Sequence, residues 1–205
     1  MNLEKDPDNL LLARGPSYRL PAEMIRDNAL ASSDLLFEKV GGPSVKPIQP
    51  SGLWQEKTSS THILRKYEPD YGQAQYRRSL YTFVRRTSPH PAMTAFDAPN
   101  RSVCTAKRQY TNTPMQALVL LNDPQFVEAS RYLAQAVLEG SQELDKGITW
   151  AFRKLTGIEI DESQLNILTD LFQEEFARFE DTPMDAKTYA AIGQAAQAEG
   201  LDPAH

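Results

Sequence analysis

The chain has 205 residues, of which 40% are hydrophobic and 24% charged, and a formal net charge of -5. That length is enough for one good-sized hydrophobic core, and no apolar run approaches the roughly 18 residues of a membrane span. The first twenty residues place acids where a signal peptide has its basic head, so neither a signal peptide nor a membrane span is expected in this chain. A single cysteine, Cys104, and three scattered histidines, His62, His90 and His205, exclude an internal disulfide, a multi-cysteine zinc site and a CxxCH haem attachment.

The net charge hides an uneven distribution. Residues 77–108 hold seven bases and one acid, Asp97, for a net +6, whereas residues 141–205 hold five bases and 13 acids, for a net -8. The two can lie against each other, or the basic stretch can display an anion site on an acidic protein; counting leaves both open. Ten of the 14 prolines lie in the first 100 residues. The reading is therefore mainly α, a helical bundle in the second half (113–200) with a loop-rich, proline-rich first half (1–112), together a single domain over 1–205.

In chain order, Leu20-Pro21-Ala22-Glu23 predicts a helix with proline at its first position, running to about Leu36. Gly41-Gly42-Pro43 through Pro50 reads as an extended loop. Arg77 to Arg86 is ambiguous: Leu80, Thr82 and Val84 alternate as in a strand, but no partner strand is evident. Thr113-Pro114-Met115-Gln116 has capping-box spacing. The short helix it opens is apolar on most sides and is expected to be central and buried. Asp123-Pro124 starts a helix closed by Gly140; a further one carries Leu144, Ile148, Phe152 and Leu155 and stops at Gly157. Asp161 to Gln164 is a second capping box, opening a helix with a Leu165, Leu168, Phe172, Phe176, Phe179 stripe. A weaker helix is expected over about 185–198. Asp202-Pro203 repeats the start signal of Asp123-Pro124, so the chain is read as cut short where another helix begins.

Candidates for chemistry crowd the basic stretch. Arg85, Arg86, Arg101 and Arg108 can fork onto an anion, or they can pair with the acidic second half and bridge the two halves. Cys104, close to Lys107 and Arg108, is a weak candidate nucleophile whose base would be His90; the plainer reading is a small buried hydrophobe. Asp97 is a candidate general base, or it caps the turn at Pro99-Asn100 or pairs with Arg101. Tyr76, Tyr81, Phe83 and Tyr110 among the bases raise nucleic-acid binding, but overall acidity and the lack of a recognition helix argue against it.

The ordered string LPAEMIRD (20–27), GGPSV (41–45), GLW (52–54), RRSLYTF (77–83), FDAPNR (96–101) with Cys104, and TNTPMQAL (111–118) running into LNDP (121–124) resembles the domain of unknown function 1553. This is the C-terminal module of large planctomycete-type proteins. The resemblance implies a parent with an upstream domain of unknown function 1549 and often a haem-bearing cytochrome c-type domain, usually exported to the periplasm or beyond. It implies no activity and no cofactor in this chain, because no residue here matches CxxCH. Asp97, Arg101, Cys104 and Arg108 match the family's central motif, which assigns them no role. The expectation is a non-catalytic structural or partner-docking module working with the upstream domains of its own polypeptide. The rival is an enzyme or binding module for an anionic, sulfated glycan, using the arginines.

Overall fold

A computed structural model describes residues 5–12, 15, 18–56, 66–140, 143–198, 200 and 203. His62, His205 and Asp202 lie outside the described residues, so the helix start read at Asp202-Pro203 is not placed. The chain is mainly α: α1 (Ala22–Ser32), α2 (Leu53–Glu56), α3 (Pro91–Ala95), α4 (Pro114–Asn122), α5 (Pro124–Gly140), α6 (Leu144–Thr156), α7 (Glu162–Asp181) and α8 (Pro183–Ala190). Among the described residues no strand longer than an isolated bridge forms.

Helix α1 starts one residue later than the sequence predicts, with Pro21 as its N-cap, and stops four residues short of Leu36. The Ser32 and Ser33 hydroxyls donate back to Asn28 O and Ala29 O at 2.7 and 2.8 Å, and Asp34 turns left-handed at φ +58°. Such back-bonding competes with the helical ladder. The ambiguous central run is neither strand nor α-helix. It is a single 3-10 turn, Ser79–Tyr81, flanked by one-residue parallel bridges of Phe37 with Arg77 and Val45 with Thr82. Val45 donates its N–H to Tyr81 O and accepts from Phe83 N, at 2.8 and 2.7 Å. Trp54 is buried nearby, edge-on to Tyr67 at 4.9 Å between centroids, with the Arg85 guanidinium over its ring at 4.7 Å.

In the second half α5 is the hub: it packs against α1, α4, α6 and α8, while α7 packs on α6. Phe126, Val127, Ala129 and Leu133 form its buried face. Gly157, at φ +75°, caps α6 in the left-handed conformation that glycine adopts without cost. Asp161 and Gln164 form the expected capping box of α7. The α7 stripe from Leu165 to Phe179 does face inward, but it is only half-buried, while Ile167 and Leu171 point outward. Helix α8 begins at Pro183 and ends at Ala190, earlier than expected. Beyond it Gly193 turns at φ +105°, and the buried Glu128 carboxylate takes the N–H groups of Gln194 and Ala195.

Helix α4 corrects a second expectation. Its capping box forms, with Thr113 N donating to Gln116 Oε1 at 3.2 Å, but the helix is not buried. Met115, Leu118 and Leu121 are each more than half exposed, and the fully buried residue is polar Gln116, whose Nε2 donates to Ala95 O at 2.9 Å. One side is used, where Val119 rests on the small core of Ala22, Met93 and Phe96. Among the described ion pairs none joins 77–108 to 141–205. Arg78 pairs with Asp27 and Arg108 with Glu23, both within the first half.

Candidate functional site around the central segment

The central segment is held by arginines whose partners are mostly backbone. Arg26 projects from the buried stripe of α1 between Ala22 and Leu30. Its guanidinium donates to Gln125 Oε1, to Arg77 O at 2.8 Å, to Ser79 Oγ at 3.2 Å and to Gln75 O at 2.6 Å. Burial pulls its pKa down to about 10, against the charges of Asp27 and Asp123, which leaves it a cation at neutral pH. Arg77 donates to Pro43 O, Lys39 O and Gly41 O at 2.8, 3.0 and 2.5 Å and lies over the Tyr81 ring. These two side chains tie α1, the glycine–proline loop, the central run and α5 into one knot. A buried cation is tolerated because most of its donors are matched by carbonyl and amide oxygens.

Arg108 closes the knot at the other side. It grips Glu23 in a two-pronged pair at 2.5 and 3.0 Å. Burial alone would push the Glu23 carboxyl up; the Arg108 hydrogen bonds and charge outweigh it and hold it below the usual carboxylate range. Asp97, in the left-handed region at φ +60°, accepts from Thr111 N at 2.7 Å and from Thr111 Oγ1 at 2.9 Å, closing the 97–111 loop. It caps that loop from the far side and not at Pro99-Asn100. Cys104 is exposed, whereas His90 is buried. Arg86 is exposed, and Arg101, also exposed, makes no hydrogen bond or ion pair among the described residues. Arg101, like Asp97, sits in the left-handed region, at φ +59°.

A cavity of about 80 Å³ lies in this segment. Ser79, His90 and Met93 form its buried floor, Thr82 and Glu23 its walls, and Arg101 its exposed rim. It brings His90 and Arg101 together; Arg85, Arg86, Asp97, Cys104 and Arg108 are not part of its lining. His90 Nε2 lies 2.9 Å from Gln125 Nε2 and 3.3 Å from Ile48 O. Burial holds the imidazole down at about 4, so it is neutral at physiological pH. Two buried polar atoms of lining residues, His90 Nδ1 and Thr82 Oγ1, have no hydrogen-bond partner among the described residues. A second, larger cavity of about 770 Å³ is apolar and lies between α1, α5 and α6, bordered by Ile25, Leu133, Val137, Ile148 and Leu155, with Leu120 of α4 at its edge. Among the described residues no three of His, Cys, Asp and Glu cluster as metal ligands, and no helix is long and apolar enough to cross a membrane.

Arg26, Gln125 and Glu128 are the functional residues of this architecture that sequence reasoning missed. The signal for Arg26 is its place on the apolar stripe of α1, four residues from both Ala22 and Leu30.

The fold and its knot define a mainly helical module in which a loop-rich N-terminal half is laced onto a helical C-terminal half. Residues 1–172 match the family described as "Protein of unknown function (DUF1553)", and the chain belongs to that family. No curated protein and no solved structure matches it.

Proposed function

We propose that the chain is a non-catalytic structural and partner-docking module of a larger exported, cytochrome c-associated protein, and that its partner is the upstream part of the same polypeptide. The observation that carries this reading is the use of the arginines. Arg26, Arg77 and Arg108 direct their donors at the protein's own carbonyls and at Glu23, so these three arginines work inward. What the module offers outward is apolar: Met115, Leu118 and Leu121 stand along one edge of α4, next to Leu120 and the large cavity. Exposed apolar surface of this kind marks an interaction site. The chain carries no haem motif of its own, so electron transfer is assigned to the upstream modules.

The test is association in trans. The chain is mixed with its separately expressed upstream domains and titrated calorimetrically, with Leu118→Glu and Leu121→Glu as variants. The expected result is a complex whose affinity falls at least tenfold in each variant, about 1.4 kcal/mol, with an unchanged melting temperature. No association of the wild-type chain, or equal affinity in the variants, contradicts the reading.

A further inference from the structure

Beyond α8 the chain passes along α5 as a strap without helix or strand, and α5 meets its main chain with three polar side chains. Glu128, Arg131 and Gln135 stand at i, i+3 and i+7, on one face of the helix. Glu128 Oε1 accepts from Gln194 N and from Ala195 N. Arg131 donates from Nη2 to Ala195 O at 2.9 Å and from Nη1 to Ala196 O at 3.2 Å. Gln135, its amide oxygen turned toward the strap, accepts from Ala198 N at 3.1 Å and from Arg131 Nη1 at 3.0 Å. The face therefore offers an acceptor, a double donor and an acceptor to the N–H, C=O and N–H groups of the strap. Seven residues of helix rise about 10.5 Å, and three steps of near-extended chain span about 10 Å, so residues 195–198 keep pace with the face.

Little else on α5 reads the strap. The side chains at 195, 196 and 198 are methyl groups, so the helix recognises backbone and not sequence. The two glutamines bond elsewhere, Gln194 Nε2 to Asp70 O at 3.2 Å and Gln197 Nε2 to Ala190 O at 2.9 Å. Ala196 and Gln197 are exposed, and Gln194, Ala195 and Ala198 are half-buried. A segment that buries so little apolar surface opens locally, well below the cost of global unfolding. Gly193, at φ +105°, is its hinge, and a Cβ there would run into the Glu128 carboxylate. Glu128 also accepts from Tyr76 Oη at 2.9 Å, so the central run helps to hold the carboxylate in place.

We propose that this face of α5 is a peptide-binding groove, and that it takes an extended, small-side-chained segment of another polypeptide in place of the chain's own strap. The strap is then a built-in competitor, and the incoming segment must supply the same N–H, C=O and N–H series. Main-chain recognition of this kind is the logic of strand addition at a sheet edge, here on a helix face. A second copy of the chain brings only the same strap, and the tethered one already acts at an effective concentration of about a millimolar. A segment that keeps the backbone pattern and adds contacts of its own is what displaces it. None of the α4 residues of the docking reading takes part, so the two readings stand or fall separately.

The full chain, as wild type and as Gly193→Ala, is titrated with a labelled peptide of residues 192–198 and followed by fluorescence anisotropy. Binding to Gly193→Ala is expected to saturate and to be at least tenfold tighter than to the wild type, whose strap still competes. A peptide carrying Ala195→Pro, which removes one N–H, is expected to bind at least tenfold more weakly, and one carrying Ala196→Ser within twofold of the parent. In the wild type, millimolar peptide is expected to quicken amide exchange at Gln194, Ala195 and Ala198 by keeping the strap off α5; this arm stands even if Gly193→Ala does not fold. Unchanged strap exchange, no saturation of a folded Gly193→Ala, or equal binding of the Ala195→Pro peptide would overturn the proposal. So would a wild-type dimer at micromolar concentration that the peptide dissociates, because it assigns the groove to a second copy.

Discussion

Replacing Arg26 by methionine removes the donor at the centre of the knot while keeping a long, flexible side chain in its place. Four acceptors lose their partner: Gln75 O, Arg77 O, Ser79 Oγ and Gln125 Oε1. Each buried acceptor left unmet costs about 1–3 kcal/mol, though the costs do not simply add. Removing one side of a buried charged cluster typically costs about 3–5 kcal/mol, a large share of the roughly 5–15 kcal/mol that holds a domain together. Urea denaturation followed by tryptophan fluorescence reads the change, because Trp54 is 2% exposed and packs on Phe83 inside the same region. With a slope of about 2 kcal/mol per molar urea, the midpoint is expected to fall by about 1.5–2.5 M. Arg26→Lys, which keeps the charge but not the fork, is expected to lose about half as much. A midpoint shift below about 0.5 M in Arg26→Met would refute the knot.

Other outcomes follow from the same contacts. Exposed, unbonded Arg101 is expected to tolerate Arg101→Ala within about 0.5 kcal/mol, whereas Arg108→Ala, which loses the Glu23 fork, is expected to cost about 1 kcal/mol in the same urea assay. His90 is held by burial at about 4 against an ordinary value of 6.5. Between those values the unfolded chain binds a proton that the native state does not, so stability falls on acidification, by about 3 kcal/mol in total for this group. Comparing unfolding free energies from pH 7 to pH 4 should show that loss in the wild type and a shallower slope in His90→Gln. The difference isolates His90 from Asp123, whose carboxyl burial raises and whose titration runs the opposite way. Gly193→Ala places a Cβ 2.3 Å from Glu128 Cδ at φ +105°. It is expected to release the 193–195 segment from Glu128, seen as faster limited proteolysis after Lys187; unchanged cleavage would show that Glu128 does not hold it.

The capping boxes of α4 and α7 and the glycine stop of α6 were legible because they are local chemistry, whereas the ends of α1 and α8 were not. Thr113 with Gln116, Asp161 with Gln164 and Gly157 do what their side chains and φ angles permit wherever they stand. Burial was not, because it depends on what arrives from elsewhere in the chain. An apolar α4 looks central on its own composition, yet its neighbours cover only the side of Gln116 and Val119. The central run showed the alternation of a strand, but Phe37 and Val45 meet it at single residues, so the ladder never extends. Of the residues singled out for chemistry, His90 and Arg101 share a cavity and the rest do not. Arg26 was hidden in plain composition: an arginine on an apolar stripe is the mark of a buried cation whose acceptors come from distant loops. Which loops those are, Gln75 to Ser79 here, depends on a tertiary approach that no local pattern encodes.

The central claim is that arginines lace the loop-rich half onto the helical half so that the two open together. Native-state hydrogen exchange tests this most directly, by comparing the amides of Val45 and Phe83, which bond across the central run, with those in the buried turns of α5. The account expects both sets to exchange through one global opening of equal free energy, lowered equally by Arg26→Lys. Exchange of Val45 and Phe83 through a much easier opening, with α5 unaffected by the substitution, would contradict it.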